Sequence, residues 1–147
     1  MNLFEKFRFL IRIFSICVLC SCSGVSVGGG GGGGAALLND SRPSGTVISQ
    51  GQFEAQNGNP TLTGQGIIFS SGASSYIARL EGITLTWQTG LLVQVFPSSG
   101  GTPAVSTALK GATGNQNYSF SSPIGSFSSL CIFSTQTNRN YGCAPLY

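Results

Sequence analysis

The five cysteines are the residues of this 147-residue chain with the most chemistry open to them. Cys17, Cys20 and Cys22 lie near the N-terminus, and Cys131 and Cys143 lie in the C-terminal part. Thiolates can bind metals, carry lipids, exchange electrons or form disulfides, and the compartment decides among these outcomes. The chain has no histidine, which removes the Ser-His-Asp triad and the commonest metal ligand from consideration.

The N-terminal cysteines follow a pattern typical of an export signal. A basic stretch over residues 6–12 precedes an apolar run over residues 13–20. The next motif, Leu19-Cys20-Ser21-Cys22, resembles the bacterial lipobox, whose cysteine receives a diacylglyceryl group and becomes the N-terminus after cleavage. We therefore predict a lipoprotein signal peptide over residues 1–21 and a lipidated Cys22, with palmitate among its acyl chains.

Three alternatives to this cleavage remain open. Cleavage before Cys20 or Cys17 would put the large Leu19 or Ile16 at a position where small residues are usual. An ordinary signal peptide with incidental cysteines is the third alternative. A transmembrane helix is disfavoured, because Arg8 and Arg12 limit the uncharged apolar run to well short of the ~20 residues that a span needs.

A run of seven glycines, Gly28 to Gly34, follows the lipobox. Glycine loses the most backbone entropy on ordering, so this run favours neither helix nor strand. We predict a flexible tether over residues 22–44 and a single domain over residues 45–147. A phosphate-binding glycine loop would need a preceding strand and a following helix, and the sequence predicts neither.

Charge is scarce and unevenly placed. Charged residues make up 7% of the chain, and three of the seven basic residues lie in the predicted signal peptide, so the mature protein is close to neutral. This balance disfavours nucleic acid as a partner. We predict a lipid-anchored, extracytoplasmic protein of the cell membrane or outer membrane. Ser23 replaces the Asp that retains enterobacterial lipoproteins in the inner membrane, which favours the outer one.

The domain sequence predicts an all-β, single β-sandwich-like fold of about eight short, mostly antiparallel strands, because short apolar alternations recur between turn residues. The predicted strands are Thr46–Glu54, Thr61–Ser70, Ser75–Leu80, Ile83–Gln88, Leu91–Phe96, Asn115–Phe120, Phe127–Ser134 and Asn140–Leu146. The predicted core comprises Ile67, Phe69, Leu85, Trp87, Leu92, Val95, Phe96, Tyr118, Phe120, Leu130 and Ile132.

Cys131 and Cys143 are predicted to form a structural disulfide. If the last two strands form a hairpin centred on Thr137, the opposed pairs are Ser134–Asn140, Phe133–Tyr141, Ile132–Gly142 and Cys131–Cys143. Opposed residues of antiparallel strands lie within the range that a disulfide can bridge. Two free buried thiols, or a redox or metal role, are the alternatives. No metal site is predicted, because two thiolates without histidine do not complete a zinc site.

Several short motifs, taken in order, resemble the DM-thirteen domain, a family often labelled an electron-transfer domain. They are Gly51-Gln52-Phe53, Thr63-Gly64, the apolar strand Leu92 to Phe96, Leu109-Lys110-Gly111, Gly114-Asn115-Gln116-Asn117-Tyr118, Phe127 to Phe133 and Tyr141-Gly142-Cys143-Ala144-Pro145-Leu146. The resemblance covers about Val47 to Leu146. It implies a β-sandwich-like extracytoplasmic module with a proposed redox role that rests on the family's cysteine.

The chain departs from the family pattern at two places. Ser134 stands where the family has the cysteine of its Ile-Trp-Cys motif, and Cys131 lies three residues earlier. The central strand follows Gly90-Leu91-Leu92, where the family usually has Gly-Pro-Asp. Since alternate residues of a strand face opposite sides, Cys131 is expected on the other face from the family's cysteine.

We therefore predict a non-enzymatic module for binding or envelope structure. Its predicted partners are the membrane, through Cys22, and an envelope protein or glycan, and no cofactor is predicted. The alternative is a redox protein that uses Cys131 and Cys143. An enzyme is a third hypothesis, and its first sign would be a pocket holding Glu54 or Glu81. Exposure of Trp87 together with Tyr76 would instead mark a binding patch.

Overall fold

A computed structural model describes residues 38–56 and 61–147 of the chain. The predicted signal peptide, Cys22, the tether up to residue 37 and the turn predicted over residues 57–60 lie outside the described residues. Within them, no helix is long and apolar enough to cross a membrane.

The described residues form two five-stranded β-sheets, which confirms the all-β, sandwich-like prediction. Sheet A has the strand order β1-β8-β5-β4-β2, and sheet B has the order β3-β10-β9-β6-β7. All neighbouring strands are antiparallel except β1 and β8. The strands are β1 Leu38–Asn39, β2 Thr46–Gln52, β3 Glu54–Ala55, β4 Thr63–Ser70, β5 Ser75–Thr84, β6 Leu91–Pro97, β7 Val105–Ala108, β8 Thr113–Ser121, β9 Phe127–Ser134 and β10 Arg139–Pro145.

One predicted pair of strands is a single strand in the structure. The sequence predicts a turn at Glu81-Gly82, but β5 continues through it to Thr84. Gly82 adopts a φ of 58°, and its N–H donates to Asn115 Oδ1 at 2.8 Å. The register with β8 shifts at this point, so the glycine supplies a β-bulge instead of a turn. The segment from Leu85 to Gln88 is a loop, and the prediction of a strand there is wrong.

The folded region begins before the predicted boundary at Gly45. Residues 38–44, which we call the strap, lie against sheet A, and β1 within it pairs in parallel with β8. A Cβ on Gly114 would lie 1.8 Å from the carbonyl oxygen of Leu38, so this close approach requires glycine. The end of the predicted tether is therefore part of the domain.

The hydrophobic core lies between the two sheets. Burial alternates along β6, which shows which of its side chains face this core. Leu91, Val93 and Val95 are buried, whereas the predicted core residues Leu92 and Phe96 are half-buried on the other face. The predicted residues Leu92, Val95 and Phe96 were taken from both faces of the strand, because an almost continuous apolar run does not show which face is buried. The other predicted core residues are buried or packed against the core, except Trp87, which is 45% exposed.

The sheets are joined where β2 leads into β3. Phe53 lies between these strands, its N–H donates to the carbonyl of Gly64, and the chain passes there from sheet A to sheet B. The edge of β2 is covered by the end of the chain, because Gln50 and Tyr147 exchange two backbone hydrogen bonds. A Cβ on Gly51 would lie 1.7 Å from the carbonyl oxygen of Pro145. The exposed edge that would invite another strand is thereby closed.

The structure predicts unequal costs for two isoleucine truncations. Ile132 is fully buried between the sheets, so Ile132→Ala should lower the free energy of unfolding by ~2–5 kcal/mol through lost burial and a cavity. Ile124 is 37% exposed in a loop, and Ile124→Ala should cost under ~1 kcal/mol. Urea denaturation of both variants measures the difference, and equal costs would contradict the assigned core.

Candidate functional site

The two cysteines of the domain form a disulfide across β9 and β10. Cys131 and Cys143 are directly opposed in the antiparallel pair, and their Cα atoms are 4.0 Å apart. Cys131 lies between Leu130 and Ile132, which face the core, so its side chain points to the outer face of sheet B. The predicted disulfide is confirmed.

The predicted hairpin register is correct at the disulfide and wrong near the turn. Ser134 pairs with Arg139 and Phe133 pairs with Asn140, one residue away from the prediction. The register is restored after Tyr141, which has no opposed partner and forms a β-bulge. Spacing from an assumed turn centre could not reveal this extra residue.

A groove of about 390 Å³ lies over the disulfide on the outer face of sheet B. Cys131 is buried and Cys143 is half-buried, so sulfur lies at the base of the groove. Ser129 Oγ lies 3.8 Å from Cys131 Sγ. The groove is also lined by Phe96, Pro97, Gly100, Ser128, Asn140 and Pro145.

The groove lining offers contacts for an uncharged ligand. Hydroxyl and amide groups alternate with a phenyl ring and two prolines, and no lining residue is acidic or basic. The two carboxylates considered for an enzyme lie apart, since Glu54 belongs to sheet B and Glu81 to sheet A. Among the described residues, no group of three or more histidine, cysteine or acidic side chains could hold a metal ion.

On the opposite side of the sandwich, the strap covers a buried arginine of sheet A. Arg79 is only 3% exposed, and its guanidinium donates to the strap carbonyls of Asp40 and Ser41 at 3.1 and 3.2 Å. It also donates to Asn117 Oδ1 at 2.9 Å and pairs with Glu81 at 3.2 Å. A buried charge is costly unless it is paired and hydrogen-bonded, so the strap and β8 together make this burial possible.

Charged side chains hold the middle of the strap against sheet A. Lys110 Nζ donates to Asp40 Oδ2 at 2.8 Å, and the N–H of Asn117 donates to the same oxygen at 2.8 Å. These bonds, the one from Lys110 first, hold the pKa of the Asp40 carboxyl below its usual range. Arg42 pairs with Glu81 at 3.1 Å and lies over the ring of Phe69. The Glu81 carboxylate therefore forms ion pairs with both Arg42 and Arg79.

The residues around Lys110 form a buried network of hydrogen bonds. Tyr118 donates its hydroxyl to Gln116 Oε1, and the N–H of Lys110 is shared between that oxygen and the Tyr118 hydroxyl. Gln116 Nε2 donates to the carbonyl of Gly111 at 2.8 Å. Burial raises the pKa of Tyr118 to about 12, so it stays a neutral donor. Gln116 was quoted from the sequence only as part of the DM-thirteen-like motif, and its role in this network was not predicted; its place two residues before Tyr118, on the same face of β8, was the available signal.

Trp87 is exposed to solvent on a loop that hydrogen bonds hold in place. Tyr141 donates its hydroxyl to the carbonyl of Thr86 at 2.6 Å, and Gln88 donates to Ser134 Oγ at 2.8 Å. The residues on both sides of the indole are thus held by β9 and β10. Tyr76 is 6% exposed in the core, so Trp87 and Tyr76 are not exposed together and the condition for a shared binding patch is not met.

Comparison with known proteins found no matching family model, and no curated protein or solved structure matched the chain. The resemblance to the DM-thirteen domain therefore stays a prediction.

Removal of the disulfide should destabilise the domain without unfolding it. Cys131→Ala/Cys143→Ala removes a link across 12 positions of the chain, and a loop of that size is worth ~2–4 kcal/mol. Reduction of the unaltered protein should give a similar loss by urea denaturation. A double variant as stable as the oxidised protein would show that the disulfide contributes nothing to stability.

The strap should make stability depend on pH through Asp40. Its pKa is lower in the folded state than the ordinary 3.8, so its stabilisation is present above that value and is lost as the pH falls through the lower folded value. The stability difference between the unaltered protein and Asp40→Asn should therefore be greater at pH 6 than at pH 2.

The matched control is Glu54→Gln, since Glu54 is exposed and makes no ion pair among the described residues. This variant should differ little from the unaltered protein at pH 6. Urea denaturation at both pH values measures these differences. An Asp40→Asn deficit of equal size at pH 6 and pH 2 would contradict the assigned interaction with Lys110.

Proposed function

We propose that the chain is an exported, lipid-anchored envelope protein whose β-sandwich serves as a non-enzymatic module for binding or envelope structure. The observation that carries this proposal is the Cys131–Cys143 disulfide. Disulfides persist in oxidising compartments and are rare in the cytosol. The bond therefore supports the export that the N-terminal sequence predicts.

The anchor in this proposal is Cys22 of the lipobox-like Leu19-Cys20-Ser21-Cys22. Each acyl methylene buried in a membrane contributes ~0.8 kcal/mol, and stable anchoring needs more than one chain. A diacylglyceryl cysteine meets this requirement. The domain is then held on the extracytoplasmic face of the cell membrane or outer membrane, where its partner is an envelope protein or glycan.

Binding is favoured over catalysis by what the described ionisable groups do. Arg79 and Glu81 pair beneath the strap, and Lys110 pairs with Asp40. Tyr118 is held neutral in the network with Gln116. The groove over the disulfide offers an uncharged surface in which a ligand can be held by packing and by hydroxyl or amide contacts.

A redox protein is the alternative function, and one observation favours it. Cys143 is half-buried and lines the groove, so a thiolate from another molecule has a route to the disulfide. The proposed DM-thirteen membership would add the family's redox label. In this alternative the groove serves as the docking site of a thiol partner, and the two cysteines cycle between disulfide and dithiol.

Acyl labelling should depend on Cys22 and not on the neighbouring cysteine. In a bacterial host fed a clickable palmitate analogue, the unaltered protein and Cys20→Ser should be labelled and recovered with membranes. Cys22→Ser should lose the label, because its acceptor thiol is absent. Labelled Cys22→Ser, or unlabelled protein in both other cases, would contradict the proposed anchor.

A further inference from the structure

The strap enters the domain at the same end of the sandwich as Trp87. Leu38 pairs with Gly114 at the start of β8 and approaches Gly111 in the loop before it. The N–H of Leu85 donates to the carbonyl of Ala112 at 3.0 Å, which joins that loop to the loop carrying Trp87. We call the loops over residues 85–90, 109–112 and 135–138 the Trp87 end.

The Trp87 end is rigidly built around an exposed aromatic ring. Thr135 binds the carbonyl of Gly90 through both its N–H and its hydroxyl, at 2.9 and 3.0 Å. Gln136 Nε2 donates to Thr89 Oγ1 at 2.6 Å. These hydrogen bonds hold the loop over residues 85–90 against the β9–β10 hairpin. The loop is therefore already ordered before Trp87 contacts a ligand, and binding costs little additional conformational entropy.

The chemistry of this end fits the headgroup layer of a membrane. Its three loops contain threonine, glutamine, asparagine and lysine as polar residues and no acidic residue. Trp87 combines an apolar ring, 45% exposed, with an indole N–H that has no hydrogen-bond partner among the described residues. Tryptophan is enriched at membrane interfaces because it can bury its ring and hydrogen-bond at the headgroup level.

The length of chain before the strap keeps this end near the anchor. Fifteen residues separate Cys22 from Leu38, and even fully extended they reach roughly 50 Å. Tethering makes contact with the membrane intramolecular, so the modest affinity of one aromatic anchor is amplified by a high effective concentration.

We propose that the Trp87 end docks on the lipid headgroups of the membrane that holds the anchor. This inference rests on the proposed lipidation of Cys22. Docking in this orientation turns the other end of the sandwich outwards. The groove includes Pro97 and Gly100 from that other end, so its opening there stays accessible to envelope partners.

Trp87 is the only tryptophan of the chain, so intrinsic fluorescence reports on this end alone. The lipidated full-length protein is reconstituted into phosphatidylethanolamine–phosphatidylglycerol vesicles with and without brominated phospholipid. Docking predicts a blue-shifted emission, loss of emission in the brominated vesicles and a several-fold lower quenching by aqueous iodide than for the same protein in detergent.

A matched control moves the tryptophan to the other end. In Trp87→Phe/Ile124→Trp the indole replaces an exposed isoleucine in the loop between β8 and β9. This variant should stay accessible to iodide and insensitive to brominated lipid. Circular dichroism confirms that both proteins are folded before they are compared.

Three results would overturn the inference: no lipid quenching of Trp87, equal quenching of both tryptophans, or protection of Trp87 from iodide by peptidoglycan fragments but not by vesicles. The last result would assign the same surface to a glycan. Failure of the anchor itself is recognised separately, since the reconstituted protein would then lack the acyl mass on Cys22.

Discussion

The burial of the Arg79 guanidinium under the strap is the constraint on which much of this structure depends. Its cost is offset only while two strap carbonyls, Asn117 and Glu81 are all in place. This requirement fixes the path of the strap over sheet A and thus the point where the predicted tether meets the domain. Phe69 lies on the same face of sheet A, and the Arg42 guanidinium of the strap lies over its ring, so the strap also covers a large apolar side chain.

The disulfide has the corresponding role on the other face of the sandwich. It links β9 to β10 and places sulfur at the base of the groove. The two faces therefore differ in kind: sheet A is closed by the chain's own strap, whereas sheet B leaves an uncharged groove open. The proposed module, anchored at one end and recognising a partner at another surface, would make use of this asymmetry.

The sequence was sufficient for features that depend on local alternation. The Cys131–Cys143 pairing followed from strand spacing, and the all-β fold followed from short apolar runs. The phase of β6 was missed because Leu91 to Phe96 is almost continuously apolar, so alternation carries no information there. The strap was missed because its partners lie far along the chain: Arg79 is 39 residues from Asp40, and Asn117 is 77 residues away. A segment beside a glycine run looks like a linker until such partners are known.

Export, anchoring and the state of the cysteines are tested together by the intact mass of the protein from native membranes, alkylated with and without prior reduction. We expect a chain that begins at acylated Cys22 and in which Cys131 and Cys143 take up the alkylating agent only after reduction. An unacylated N-terminus would contradict the anchored module, and alkylation of both cysteines before reduction would favour the thiol-redox alternative.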